Sequence, residues 1–462
     1  MATRQELYER IEKTSKDEVI LDEMVRLGFW PRDLGPPEDT RDELERRRLL
    51  QKELATLTTA EIRLANVEKA RKDLRKTRME ESRARQRETK LRRLRERQER
   101  ADAWRTRKGH EILYLGEGVS AGLRSTETDS EKLRARGLPV LVNAEGLAAA
   151  MGISLAELRF LSFARRVSTV SHYRRFQIPK KTGGLRTISA PMPRLKRAQH
   201  WVLAEILDRV ELHPAAHGFR SGRSIVTNAE PHVGAHVVVN LDVEQFFPTV
   251  SRRRIKGVFR SLGYGEQVAT ILSLVCSEPP VREVELDGRA YHVARGERTL
   301  PQGAPSSPAL TNVLCRGLDA RLARIAGGLG FRYTRYADDM TFSAPEDAAG
   351  GVGRMLRRAR FVIEKEGFRV HPDKTRVLRK GRQQEVTGLV VNRRVNVARA
   401  TLRRFRATLY QIERDGPGGK RWGGGPNVLS AIEGFANFVA MVDPAKGAEL
   451  RRRVGLILER HR

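Results

Sequence analysis

Arg332-Tyr-Thr-Arg-Tyr-Ala-Asp-Asp-Met-Thr-Phe-Ser343 sets two adjacent carboxylates, Asp338 and Asp339, between two short runs of aromatic and β-branched residues. The pattern predicts strand, tight turn, strand. Adjacent carboxylates repel each other, and holding them at a hairpin tip makes sense where a divalent cation takes hard oxygen ligands such as these. An isolated Asp-Asp pair is more often an exposed turn, but here the apolar flanks predict a tip that is held. A third acid follows the same logic. His236-Val-Val-Val-Asn-Leu-Asp242 is an apolar run that ends in a carboxylate and continues as Val243-Glu-Gln-Phe-Phe-Pro248. A buried strand delivers such a ligand rigidly. Asp242, Asp338 and Asp339 together supply the oxygens that hold two Mg²⁺ ions about 3.5–4 Å apart for in-line phosphoryl transfer, one activating a hydroxyl and the other stabilising pyrophosphate. Alone, Asp242 reads equally well as a strand-end acid capping a helix.

Three segments in order, Asp242 with Phe247 five positions on, Leu300-Pro-Gln-Gly-Ala-Pro-Ser-Ser-Pro308, and Tyr336-Ala-Asp-Asp339, resemble the palm motifs of reverse transcriptases. His371-Pro-Asp-Lys-Thr375 is similar to the later, lysine-bearing palm motif. Each motif is weak alone, whereas their joint order and spacing are specific. The resemblance covers roughly residues 150 to 462. It implies an α+β, right-hand polymerase fold with fingers, palm and helical thumb, and a metal set of Asp242, Val243, Asp338 and Asp339 holding two Mg²⁺.

Other roles follow from the same resemblance. Phe176-Gln-Ile-Pro-Lys-Lys-Thr-Gly-Gly-Leu-Arg-Thr-Ile188 reads as a hairpin turned at Gly183-Gly184 and resembles the fingers hairpin that closes on the triphosphate. Lys181 and Arg186 are its phosphate-binding candidates, the arginine favoured for its planar fork; generic basic surface is the alternative for the lysine. Phe247 is assigned to excluding the ribose 2′-hydroxyl by sterics, with Phe246 facing the core. Gln302 and Gly303 enter a helix at Pro305; the glycine permits close backbone approach and the glutamine contacts nucleotide or template, the alternative being a Pro-rich loop with a capping serine. Lys374 is a general acid for pyrophosphate, or a surface lysine. Tyr336 packs beside the primer terminus, and Arg332 and Arg335 read as surface charges.

Two short segments narrow the family. Asn228-Ala-Glu-Pro-His232 is similar to the N-A-x-x-H motif of retron reverse transcriptases, and Val386-Thr-Gly388 to their V-T-G motif. Residues 215–224 match a stretch shared with group II intron enzymes and do not discriminate. The resemblance implies dNTPs as substrates, a cognate non-coding RNA as template and primer, priming from the 2′-hydroxyl of an internal guanosine, an RNA–DNA hybrid and single-stranded DNA as products, and antiphage defence with an effector protein. Asn228, His232, Thr387 and Gly388 are its RNA-binding candidates, with a helix cap and a buried turn as the structural alternatives. No fused endonuclease or RNase H is expected after the thumb. The competing functions are a group II intron-like or other bacterial reverse transcriptase, a polymerase using ribonucleotides, and a non-catalytic scaffold for structured RNA.

Composition agrees with a polyanionic partner. The 462 residues carry a formal net charge of +31, which points to nucleic acid. No apolar signal region or membrane-length run appears, and Cys276 and Cys315 support neither a disulfide framework nor a cysteine zinc site, so a cytoplasmic protein without a membrane partner is expected. The length suits two or three domains. We place a charge-rich helical extension at 1–110, connector and fingers at 111–235, palm at 236–395 and thumb at 396–462. Within the extension a short amphipathic pattern ends at Gly35-Pro-Pro37, and Thr40 to Lys108 reads as long helix or as a helical hairpin that restarts near the capping-box pattern Thr58-Thr-Ala-Glu61. Its basic stretch from Arg71 to Lys108 reads either as a face lying along a phosphate backbone or as a solvated helix.

Overall fold

The computed structural model describes residues 4–14, 16–31, 38–179, 183–425 and 427–461. Gly35-Pro-Pro37 and Lys181 lie outside them. The chain divides into two compact units, Met1–Trp104 and Arg105–Arg462.

The first unit is helical: Arg4–Lys13, Lys16–Arg26, Glu38–Ala65, and most of Val67–His110. Sparse apolar residues build little core here, and Leu50, Leu54, Leu57, Leu74, Leu91 and Leu94 are all exposed. The helix does not restart at Thr58. Thr58 and Thr59 sit inside it, their hydroxyls donating to the Leu54 and Ala55 carbonyls at 2.6 Å, the back-bonding that mid-helix threonines favour. The break falls at Asn66, whose Oδ1 accepts the Lys69 amide at 3.2 Å. Asparagine caps a helix where threonine at an interior position finds a carbonyl instead.

The second unit is built on an antiparallel sheet of four strands. Arg332–Tyr336 pairs with Asp339–Ala344, which pairs with Val237–Asp242, which pairs with Arg376–Arg379. The predicted hairpin is present, with Ala337 and Asp338 as its two-residue turn. The register places Asp242 directly opposite Asp339. The Asp242 strand is apolar on both faces because both are covered. Val237, Val239 and Leu241 pack into the main core, and Val238 packs into the C-terminal core with Val386, Leu389 and Phe405. Helices Arg252–Leu262, Glu266–Val275, Ser306–Leu314, Arg316–Gly327 and Val352–Lys365 close the main core around Ile255, Phe259, Leu310, Leu318 and Met355.

The hairpin expected at 176–188 runs over Tyr173–Pro179 and Leu185–Pro191. A second hairpin, Val281–Leu286 with Arg289–Ala294, escaped the sequence reading. Its signal was Asp287-Gly288 between alternating runs, and both residues have the positive φ (51° and 68°) of a type I′ turn. Glu385–Val386 pairs with Leu389–Val390 as a tight hairpin turned at Thr387-Gly388. Three helices follow, Arg399–Asp415, Val428–Val442 and Pro444–His461. The Gly-rich segment between the first two is anchored, since Trp422 packs at 4.8 Å from both Phe405 and Phe435.

Candidate active site

A cleft of about 1280 Å³ opens where the Tyr173–Pro191 hairpin faces the end of the sheet. Asp242, Val243, Arg186, Phe247, Gln302, Gly303, Asp338 and Lys374 all line it, so residues spread over almost two hundred positions of sequence meet in one place. Strand ends deliver the acids: Asp242 closes its strand, and Asp338 sits in the hairpin turn. Val243 is buried, and its amide donates to the Asp338 carbonyl at 3.2 Å, which ties the turn to the neighbouring strand.

The electrostatics are those of crowded acids. Burial and the Asp242 charge raise the pKa of Asp338 above the ordinary carboxylate value, opposed by a backbone hydrogen bond and by Lys374 and Arg186. Lost hydration, then Asp338 and Asp242, push Asp339 up to about 7. The Asp339 side chain is exposed, and the charges of Asp338 and Asp242 beside it hold its proton on. Lys374 Nζ donates to Asp242 Oδ1 at 2.9 Å and supplies the local counter-charge. Among the described residues no three His, Cys, Asp or Glu side chains are already gathered around a point that could hold a metal ion. The donor types nevertheless fit a hard divalent cation, since three carboxylates converge at the end of one sheet and a cation relieves their repulsion.

Phe246 is buried against Phe368, with ring centroids 5.3 Å apart, while Phe247 is half-buried at the edge of the main core; both border the cleft. Gly303 has φ +120°, and a Cβ there would lie 2.9 Å from Ile188 Cγ2 and 3.0 Å from the Ser189 carbonyl. The close approach that this glycine permits is thus to the 173–191 hairpin, joined also by the Ser189 amide donating to the Gln302 carbonyl at 2.7 Å. No serine caps the helix that follows; Ser307 Oγ donates back to the Pro301 carbonyl at 2.8 Å. Phe219, Gln245 and Ala337 all line the cleft with positive φ (55°, 44° and 58°), backbone strain of a kind that clusters at functional sites.

Arg335 corrects the sequence reading most. It is no surface charge: it is fully buried and forms a bidentate pair with Asp319, Nε to Oδ1 at 2.8 Å and Nη2 to Oδ2 at 2.7 Å. Its Nη1 also donates to Asn312 Oδ1 at 3.0 Å and to the Ala337 carbonyl at 3.1 Å, inside the acidic turn. Asn312 in turn donates to the Gly218 carbonyl at 2.8 Å, and a Cβ on Gly218 would lie 2.6 Å from the Ala337 amide. The 215–224 stretch is therefore the outer brace of the turn. No periodicity marks a buried arginine; its only sequence signal is its place between Thr334 and Tyr336 in a strand of aromatic and β-branched residues. Arg332 is exposed and donates to the Pro231 carbonyl at 2.8 Å.

The four RNA-binding candidates lie elsewhere, close to one another. The short helix Ile225–Ala229 packs against the Thr387-Gly388 turn. Ser224 caps this helix, and Asn228 lies inside it, fully buried, its amide without a hydrogen-bond partner among the described residues. His232 is also fully buried, with Nδ1 hydrogen-bonded to Ser343 Oγ at 2.7 Å and Nε2 to Thr334 Oγ1 at 2.8 Å. Neither reaches solvent, so direct RNA contact does not fit their placement; His232 pins the turn to the back of the sheet. Gly388 is exposed and Thr387 half-buried.

Comparison with known proteins defines the class first. The profile of the reverse transcriptase (RNA-dependent DNA polymerase) family matches residues 178–391, which carry the sheet and most of the cleft lining. The α+β fold is thus that of a right-hand polymerase, the activity is RNA-directed DNA synthesis, and an RNA template is bound. Enzymes of this family use divalent metal ions. Within the class, the chain belongs to the retron reverse transcriptases. It is 46% identical over 367 residues to the retron Mx162 reverse transcriptase of Myxococcus xanthus, covering 75% of this chain and 74% of that protein. It is 34% identical to the retron Ec86 reverse transcriptase of Escherichia coli, over 68% of this chain and 88% of that one. Among solved structures, telomerase from Candida albicans in complex with a TWJ fragment of telomeric RNA aligns at a TM-score of 0.38 and 13% identity, over 61% of this chain and 56% of that one.

Proposed function

We propose that this reverse transcriptase copies part of a cognate structured non-coding RNA, priming from the 2′-hydroxyl of an internal guanosine and releasing branched, multicopy single-stranded DNA. The observation that carries the reading is the meeting of Asp242 and Asp338 with Arg186, Phe247, Gln302 and Lys374 around one cleft, with Asp339 opposite Asp242. The carboxylates of Asp242, Asp338 and Asp339 and the main-chain carbonyl of Val243 would hold two Mg²⁺. Bound there, the ions supply the charge that activates the primer hydroxyl and stabilises departing pyrophosphate. Arg186, with Lys181, grips the triphosphate of a dNTP; Phe247 occupies the space a 2′-hydroxyl needs; Gln302 and Gly303 shape the nucleotide floor. Lys374, released from Asp242, donates its proton to pyrophosphate.

The same reading assigns 1–110 to the extension, 111–235 to connector and fingers, 236–395 to palm and 396–462 to thumb. Thr387 and Gly388 contact the RNA, with Asn228 and His232 setting their turn from behind. Membership of the retron family supports antiphage defence with an effector protein as the cellular role, in the cytoplasm; among the described residues no helix is long and apolar enough to cross a membrane.

Incorporation of dNTPs on an RNA template with Mg²⁺ tests the site: Asp338→Asn with Asp339→Asn is expected to fall to background, and unchanged incorporation overturns it. Sequencing nucleic acid that co-purifies with the protein tests the substrate. A branched RNA–DNA molecule supports the retron reading, and intron or random cellular RNA overturns it.

A further inference from the structure

We infer that the Val67–His110 helix is a duplex-RNA-binding rod, separate from the catalytic cleft. It carries eighteen Lys and Arg against eight Asp and Glu, and the two signs are sorted around its axis. At 3.6 residues per turn, Arg71, Arg75, Arg78, Arg85, Arg93 and Arg97 share one face, while Asp73, Glu80, Glu81, Glu88 and Glu99 gather on the far side. All six arginines are exposed, and none has an acidic partner among the described residues. Asp102 joins the acids on the far side, and three residues break the pattern: Arg95 lies among those acids, and two acids lie among the bases. Glu68 lies at the helix start, and Glu96 sits on the basic face, where it pairs with Arg92 at 3.8 Å and Arg100 at 3.4 Å.

Opposite charges do stand at i,i+4 along the border of the two faces, Lys76 with Glu80 and Glu81 with Arg85 among them. Away from that border, positive potential is concentrated along one line about 39 Å long, from Arg71 to Arg97. Three partners accept such a line, and the remaining residues choose between them. An anionic membrane surface or a second helix requires an apolar stripe. Val67, Leu74, Met79, Leu91, Leu94 and Trp104 instead scatter around the axis with no seam. Single-stranded nucleic acid is held by aromatic platforms, and Trp104 is the one aromatic residue in this helix. A stiff rod bearing regularly spaced phosphates remains, and for an enzyme whose template is RNA that rod is a paired RNA stem. The stem assignment rests on the reverse-transcriptase reading; the tests separate the two.

The measurement is binding of the full-length protein to a long, perfectly paired RNA hairpin across a salt series. In Arg71→Gln/Arg75→Gln/Arg78→Gln/Arg85→Gln/Arg93→Gln/Arg97→Gln, affinity at 0.15 M salt should fall at least about tenfold. The slope of log K against log salt should shallow by roughly 0.9 for each phosphate that is no longer neutralised. Glu80→Gln/Glu81→Gln/Glu88→Gln/Glu99→Gln, altering the far face, should shift affinity less than threefold. dNTP incorporation on a short primer–template should stay at the parent level in both; its loss in the unaltered protein would count against the reverse-transcriptase reading instead. Equal RNA affinity and slope in the arginine variant overturn the rod. A loss seen only with duplex DNA, or only with phosphatidylserine vesicles, overturns RNA as its occupant.

Discussion

Arg335 shows how one buried charge can serve two ends. The Asp319 pair neutralises it, and its remaining N–H groups hold Asn312 and the Ala337 carbonyl. Arg335→Met strands the Asp319 carboxylate and should cost about 3–5 kcal/mol in urea unfolding. Arg335→Met with Asp319→Leu should recover most of that stability, yet not DNA synthesis, because nothing then holds the strained turn. Recovery of both would show that the arginine acts on stability alone. At Phe247, substitution by Ala should raise incorporation of ribonucleotides relative to deoxynucleotides, and an unchanged preference would remove it as the sugar gate. His232 carries a pH signature. Burial first, then the charges of His217 and Arg332, lower its pKa to about 3. A histidine lowered from 6.5 favours the folded state while neutral, so its contribution is whole above pH 6.5 and is lost as pH falls toward 3. His232→Asn should flatten the fall in melting temperature across that window; a parallel curve would contradict the assignment.

At the scale of elements, the contact that matters is between the Gln302-Gly303 loop and the hairpin Tyr173–Pro191. A methyl at position 303 meets both the Ile188 side chain and the Ser189 carbonyl, at a φ that side-chain-bearing residues rarely adopt. Gly303→Ala should therefore cost about 1–3 kcal/mol locally. Its effect is expected on the KM for dNTPs more than on the global melting temperature, and steady-state kinetics read the difference. A second tie between the hairpin and the cleft wall is the Arg175–Glu278 ion pair, on a part-buried arginine and a buried glutamate. Both ties lie where the two hairpins approach the acids, and neither was legible in the motifs that name those elements.

For the whole molecule, the +31 charge predicts salt-sensitive binding. If six to ten phosphates are neutralised, RNA affinity should fall by about 10³ to 10⁵ between 50 and 200 mM salt. A flat salt series would mean that this charge lies away from the RNA. The division into two units at Trp104 and Arg105 separates a helical part with little core from a part with two cores, so the salt response has two candidate surfaces, the cleft and the basic helix.

The sequence alone determined the chemistry and the local elements. Acids at strand ends, the Asp-Asp hairpin and the Gly183-Gly184 turn were legible because hydrogen bonding and side-chain alternation over a few residues decide them. Only the tertiary structure decided which polar groups are buried. Arg335, Asn228 and His232 carry the residue types of a surface, yet helices and strands distant in sequence enclose them. Burial depends on how whole elements stack, and no window of sequence contains that information. The same holds for Thr58: its capping pattern is real, but the uninterrupted helix around it offers its hydroxyl a carbonyl instead.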